Sequence, residues 1–241
     1  MNYTDINIEV MLVAFLAIYT LVKRASRTAM MLYVVAFNLY FAYRLNGGVM
    51  WLLPATACFN YALTQEMALR EGRTRKLLLA TVVVADLAVL AYFKYATFIL
   101  NDVIGLMLRT NFSLGSIVLP VGISFYTFQS MSYTIDLYLR KIKVQKSLIS
   151  FTSYVTLFPQ IVAGPIVRYE DVAAEIDDRV ISVSKVSEGI GKFMKGLAKK
   201  VLLANNIGLI WTQVKAMDFG ELSTLTAWLG ILAFTFQIYF D

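Results

Sequence analysis

Six apolar runs, each set off by charged or glycine-containing breaks, constrain this chain more than any other feature. They cover residues 6–22, 29–43, 49–64, 77–93, 118–138 and 224–240, and a helix that crosses a bilayer needs about 20 predominantly apolar residues. Hydrophobic residues make up 59% of the 241 positions, charged residues only 16%, and the mean hydropathy is +0.65. A chain this apolar lacks the polar surface of a water-soluble fold, so the expectation is an all-α polytopic membrane protein in one domain over residues 1–241. Asp5 and Glu9 stand where a signal peptide would be basic, and no small-residue cleavage site follows, so residues 6–22 are expected to be a retained helix.

The formal charge of +6 follows the same segmentation. Lys23, Arg24, Arg27, Arg70, Arg73, Arg75, Lys76, Arg140, Lys141, Lys143 and Lys146 fall in alternate breaks, and only Arg44, Lys94 and Arg109 in the others. That asymmetry predicts a multi-pass membrane protein with its N-terminus outside, and it accounts for the basic balance without nucleic acid as a partner. Membrane lipid is the expected surrounding. Cys58 is the single cysteine, which excludes internal disulfides and cysteine-rich metal sites; a buried, inert thiol is expected. The chain contains no histidine, so the commonest general base and metal ligand are both missing.

Three further segments depart from simple spans. Residues 94–116 are apolar on one side but carry Asn101 and Asp102, which suits an interfacial helix. Residues 149–166 are too short to cross and contain Pro159, Gly164 and Pro165, which predicts a re-entrant or broken helix. Residues 169–200 pass from an acidic to a lysine-rich stretch and predict amphipathic helices at the cytoplasmic surface; the depth of "VLLANNIGLIW" beyond them stays open. There is no internal repeat and no low-complexity linker.

The stretch "VLPVGISFYTFQSMSYTIDLY", Val118–Tyr138, has Pro120 where a helix would start. At helical spacing Tyr126, Gln129, Tyr133 and Asp136 share one stripe, opposite Phe128, Met131 and Ile135. An Asp at the middle of a span costs about 2.5–3.5 kcal/mol against lipid, so the stripe is expected to face the bundle interior or a wet passage. For Asp136 the competing expectation is an interfacial ion pair with Arg140 one turn on. For Gln129 it is a helix-to-helix hydrogen bond. Ser124, Ser130 and Ser132 read as packing hydroxyls.

"LPVGISFYTFQSMSYTIDLYLRK" followed by "FTSYVTLFPQIVAGPIVRYED" resembles the membrane-bound O-acyltransferase family, in its bacterial branch of polysaccharide O-acetylation subunits. "FKYATF", "GIGKFMKGLAKKVLLANNIG" and "AWLGILAFTFQIYFD" echo it, so the resemblance covers most of the chain after about residue 90. It implies a helical bundle around a tunnel, with a cytoplasmic mouth for an acyl donor and an external mouth for a hydroxyl acceptor. Gln129, Tyr133 and Asp136, with Tyr126 on the same stripe, and Pro159, Gln160, Gly164 and Pro165 would then frame the cytoplasmic side. Arg168 is placed either at the phosphates of a donor or at a lipid headgroup.

The implied donor is acetyl-CoA as a substrate, with no bound cofactor. The implied partners are an exported, alginate-like polysaccharide and a periplasmic acetyltransferase that completes the transfer. A sister branch passes D-alanine from a carrier protein to teichoic acid. The family's chemistry rests on a histidine in its later half, so this histidine-free chain is expected to be an incomplete, inactive bundle. A transporter, which also uses broken helices, and a non-catalytic scaffold are the competing functions.

Overall fold

The computed structural model describes residues 6–22, 26–104, 117–161, 164–177, 182–218, 220 and 222–241. Every regular element among them is helical, as the apolar segmentation predicts. Two stretches, Arg27–Leu69 and Gly72–Asn101, are long and apolar enough to cross a membrane; the apolar helices over Val10–Val22 and Thr224–Phe240 are shorter. The chain divides into two units: Phe15–Arg179, and residues 1–14 with 180–241.

In the larger unit, the second half of α1 (Ile6–Val22) lays Phe15 against Tyr33 and Phe37 of α2 (Arg27–Asn46), with ring centroids 5.5 and 4.6 Å apart. Ser26 starts α2 by accepting the Ala29 N–H, one of the donors a helix start leaves unpaired. Gly47, at φ +58, ends it, and a 3-10 turn over Gly47–Trp51 leads into α3 (Leu52–Leu69). The spans expected at 29–43 and 49–64 thus lie in one helical run with a tightened joint. After Gly72, α4 continues to Thr97 and on into a π turn over Phe98–Ile104. No break occurs at Lys94, because lysine is a good helix former and its ammonium lies over the neighbouring Tyr95 ring, 5.5 Å from the centroid. The rest of the expected interfacial helix, residues 105–116, lies outside the described residues.

The helices α3, α4 and α5 (Ile123–Tyr138) pack pairwise. Against α2, α3 and α5 sits α6 (Leu148–Thr156), a short helix whose residues Ser150–Thr156 are all buried. A single turn, α7 (Phe158–Ile161), and α8 (Tyr169–Asp177) complete the unit.

The helix in 118–138 begins later than expected. Pro120 does not start it: its carbonyl accepts the Ile123 N–H, and Gly122, at φ +82, makes the turn into the helix. A Cβ at Gly122 would collide with the side chain and carbonyl of Ile161, so glycine is required twice over, for the φ and for the close approach. At the far end, the Arg140 N–H bonds the Leu137 carbonyl and the Lys141 N–H the Asp136 carbonyl, both at 3.0 Å, with Arg140 in the left-handed region at φ +60. This is a Schellman closure with arginine where glycine is usual. Arg75 of α4 adds a cap, donating to the carbonyls of Leu137 at 2.7 Å and Tyr138 at 3.2 Å.

In the smaller unit, α9 (Val183–Ala198), a π turn over Lys199–Ala204 and α10 (Asn205–Lys215) form one helical run, and α10 pairs with α11 (Thr224–Phe240). Gly208 lies against Gln237 and Gly230 against Val214, with no room for a methyl group at either glycine. Small residues at both contacts let the two backbones approach closely. "VLLANNIGLIW" is therefore the π turn and half of a helix pair.

Candidate functional site

The stripe on α5 is buried: Tyr126, Gln129, Tyr133 and Asp136 are all 5% exposed or less, while Phe128 and Ile135 on the other side are each 37% exposed. What each side chain meets follows from the break in the neighbouring helix. An uninterrupted helix through 154–159 would pair the Tyr154 carbonyl with the Phe158 N–H, and the Val155 carbonyl with an N–H that Pro159 does not have. Instead Leu157 turns out of helical geometry at ψ 110. The freed Phe158 N–H is accepted by Asn38 Oδ1 of α2 at 3.3 Å, and the freed Tyr154 carbonyl accepts from Gln129 Nε2 of α5 at 3.1 Å. Asn38 Nδ2 also donates to Thr156 Oγ1 at 3.2 Å, and Gln129 Nε2 to Gln160 Oε1 at 2.9 Å. Two buried amides, one on each side, thus satisfy the Phe158 N–H and the Tyr154 carbonyl that the break exposes.

The segment beyond the break is tied back by Tyr154, whose hydroxyl donates to the Val167 carbonyl at 2.9 Å. Next to it, Tyr133 accepts the Gln145 N–H at 2.8 Å and Gln145 Nε2 donates to Tyr169 at 2.9 Å. The rings of Tyr133, Phe151, Tyr154 and Tyr169 meet edge to face, with centroids 4.9–5.2 Å apart for the pairs Tyr133–Phe151, Tyr133–Tyr169 and Tyr154–Tyr169.

The structure therefore brings Gln129 and Gln160 together at the break made by Pro159, and gathers Tyr133 with Gln145 and Tyr169. It does not gather the others. Gly164, at φ +116, and Pro165 form an exposed bend, and Arg168 is exposed, with its carbonyl accepting the Asp171 N–H at the start of α8. Tyr126 is buried with its hydroxyl unpartnered. Asp136 does not pair with Arg140. The left-handed turn swings Arg140 away to Glu71, at 3.0 Å, and Lys141 Nζ lies 3.9 Å from Asp136 Oδ1, leaving Oδ2 buried and unpartnered.

Several residues with equal claims escaped the sequence reading. Asn38 and Asn60 are fully buried and Asp86 is 3% exposed. Asn60 Nδ2 on α3 donates to Asp86 Oδ1 on α4 at 3.0 Å. Their signal was present, since each is a lone polar residue inside an apolar run, as in "VVAFNLYF" and "VVVADLAVL". Cys58, expected to be buried, is exposed. Among the described residues no three His, Cys, Asp or Glu side chains come close enough to hold a metal ion. A cavity of about 610 Å³ opens beside Gln145 and Tyr169, edged by the loop that joins α5 to α6.

No family model matches the sequence, and no solved structure matches it. The chain is 37% identical to a protein of Pseudomonas aeruginosa named as a probable alginate O-acetylase, over 94% of this chain and 44% of that one. A protein of the same name in Azotobacter vinelandii is 35% identical, over 94% and 46%. A peptidoglycan O-acetyltransferase of Helicobacter pylori is 26% identical, over 87% and 45%. The chain spans just under half the length of the curated relatives it matches. That similarity runs through both motif segments and almost all of the sequence, and it agrees with the resemblance to the membrane-bound O-acyltransferase family, in its branch of polysaccharide O-acetylation subunits.

Proposed function

We propose that these residues form part of a multi-pass enzyme of the bacterial inner membrane, with its N-terminus outside, that moves acetyl groups from cytoplasmic acetyl-CoA towards an exported, alginate-like polysaccharide. A periplasmic acetyltransferase completes the transfer. The observation that carries this reading is the similarity to the alginate O-acetylases along 94% of the chain. The peptidoglycan O-acetyltransferase match points to the same class of reaction, acetyl onto a sugar hydroxyl of an exported polymer.

The physical features agree with that role. Apolar side chains such as Leu77, Val84, Trp228 and Ile238 are 59–65% exposed, a surface suited to lipid rather than water. The broken α6–α7 segment is irregular backbone that bilayer depth tolerates only where protein or a hydrated passage surrounds it. In this reading it forms a wall of the donor side of the tunnel. Gln129 and Asn38 hold the wall, Tyr133 and Asp136 lie towards its mouth, and the Gly164–Pro165 bend and Arg168 lie at its edge.

Ester formation requires removal of a proton from the acceptor hydroxyl, and imidazole is the side chain best matched to that task near neutral pH. The chain has none. These residues therefore supply scaffold and donor access but not the base, and alone they transfer nothing. Transfer from radiolabelled acetyl-CoA to polysaccharide tests this: a full-length relative is expected to transfer label and the 241-residue chain none. Transfer by the histidine-free chain would overturn the assignment of the base. Flux of a solute through liposomes, without acetyl transfer by the full-length relative, would overturn the enzymatic reading in favour of a transporter.

A further inference from the structure

The loop that closes α5 and opens α6 carries Lys141, Lys143 and Lys146, which sequence reasoning treats only as markers of a cytoplasmic face. It has no regular structure from residue 143 to 147, yet it is held from three helices. From α3, Gln65 Nε2 donates to the Gln145 carbonyl at 2.7 Å and the Tyr61 hydroxyl to the Lys146 carbonyl at 2.6 Å. From α5, the Tyr133 hydroxyl accepts the Gln145 N–H; from α8, the Tyr169 hydroxyl accepts from Gln145 Nε2. The Gln145 side chain closes the turn by accepting the Ser147 N–H at 3.0 Å. Gln145 is buried at 7% exposure, and the lysines on either side of it are exposed.

A loop tied at so many points does not have to be ordered again when a ligand arrives, and that removes one of the entropic costs of binding. Its lysines edge the cavity of about 610 Å³, within the usual range for a small-molecule site. Three lysines and one acid, Glu170, line it, for a net charge of 3 − 1 = +2, while Ala173 and Ala174 of α8 give an apolar wall. Asp136 partly offsets Lys141, but Lys143 and Lys146 make no ion pair among the described residues. A cationic rim beside an apolar wall fits a ligand that joins phosphate groups to an organic body. A bare inorganic anion has no use for the wall.

We propose that this cavity is the phosphate-binding site for the acyl donor. Lys143 and Lys146 contact the phosphates of a nucleotide phosphate ester, and the Tyr133–Gln145–Tyr169 chain positions the loop that carries them. The inference rests on the proposed acetyl-CoA-dependent function and goes beyond it in naming where the donor is held. Tyr133 and Tyr169, both from the two long motifs, thereby act as positioning residues at the donor site without touching the acyl group.

The test is equilibrium binding of coenzyme A to the chain in nanodiscs of zwitterionic phosphatidylcholine. K143Q/K146Q is expected to weaken binding about tenfold or more, since each charge-assisted contact to phosphate is strong. K143R/K146R is expected to keep it, and K192Q/K195Q on α9 to leave it unchanged, with unfolding midpoints confirming that all variants fold. Coenzyme A lacking its 3′-phosphate is expected to bind more weakly to the unmodified chain and to lose less in K143Q/K146Q. Equal affinity of K143Q/K146Q and the unmodified chain overturns the proposal. So does displacement of coenzyme A by phosphatidylglycerol in the discs, which would identify the site as a lipid headgroup seat. The two readings fail separately. If a full-length relative transfers acetyl from acetyl-CoA with an unchanged KM when its matching lysines are neutralised, the site is wrong and the function stands. If coenzyme A binds through these lysines but the full-length relative uses a different donor, the function is wrong and the site stands.

Discussion

Asn38 and Gln129 are the two residues on which the broken segment depends. Each gives a buried backbone group of the break its partner, and each reaches it from a different helix. Replacing either by leucine keeps the volume but strands a backbone group, a loss of about 1–3 kcal/mol. N38L and Q129L are therefore expected to lower the unfolding midpoint in detergent, and the leucine at 129 to do so even where no acceptor or donor is present. A residue that only lined a passage would change transfer and leave that midpoint where it was. The polarity of Gln129 was visible in the sequence, and so was the helix break at Pro159. The connection between them was not, because Gln129 and Tyr154 are 25 positions apart and their meeting depends on how α5 and α6 pack. Asp136 shows the converse. Its i, i+4 spacing to Arg140 was sound helix geometry, but the helix ends at Tyr138, two residues too early for it to apply.

Among elements, α9 has the most one-sided surface. It buries none of its residues, and Val183, Val186, Ile190, Phe193 and Met194 are 44–88% exposed. At helical spacing these five, with Leu197, fall within an arc of about 100°, the width of a face that expects a partner. Lys185, Lys192 and Lys195 lie opposite; Lys192 bonds Glu188 at 2.7 Å and holds its carboxyl below the usual range. This pattern is that of a helix lying in the bilayer interface with its apolar side down. With Cys58 replaced by serine, a cysteine at Met194 is expected to resist a membrane-impermeant maleimide in lipid vesicles while one at Lys192 reacts. Equal reactivity would place the helix in water. This amphipathic character was legible because it depends only on period and composition. The start of α5 was not, because the turn at Gly122 is set by the close approach of Ile161 from the broken segment.

At the scale of the whole molecule, three polar side chains inside apolar helices tie neighbouring elements together. Asn60 with Asp86 joins α3 to α4, Gln129 with the Tyr154 carbonyl joins α5 to α6, and Asn38 joins α2 to the break. The apolar runs made the all-helical character of the chain readable. They carried nothing about which polar residue would meet which. The Asn60–Asp86 pair has a consequence for biogenesis. In the proposed multi-pass arrangement the chain enters the bilayer from the N-terminus, so Asn60 is already in place when the acid on the next helix emerges. A carboxyl that would resist entry by about 2.5–3.5 kcal/mol finds a donor waiting on its immediate predecessor. An N60L chain is expected to insert α4 less completely in a glycosylation-tag assay, and D86L to restore insertion. The order in which the helices are made is thus suited to the acid, which never has to meet lipid alone.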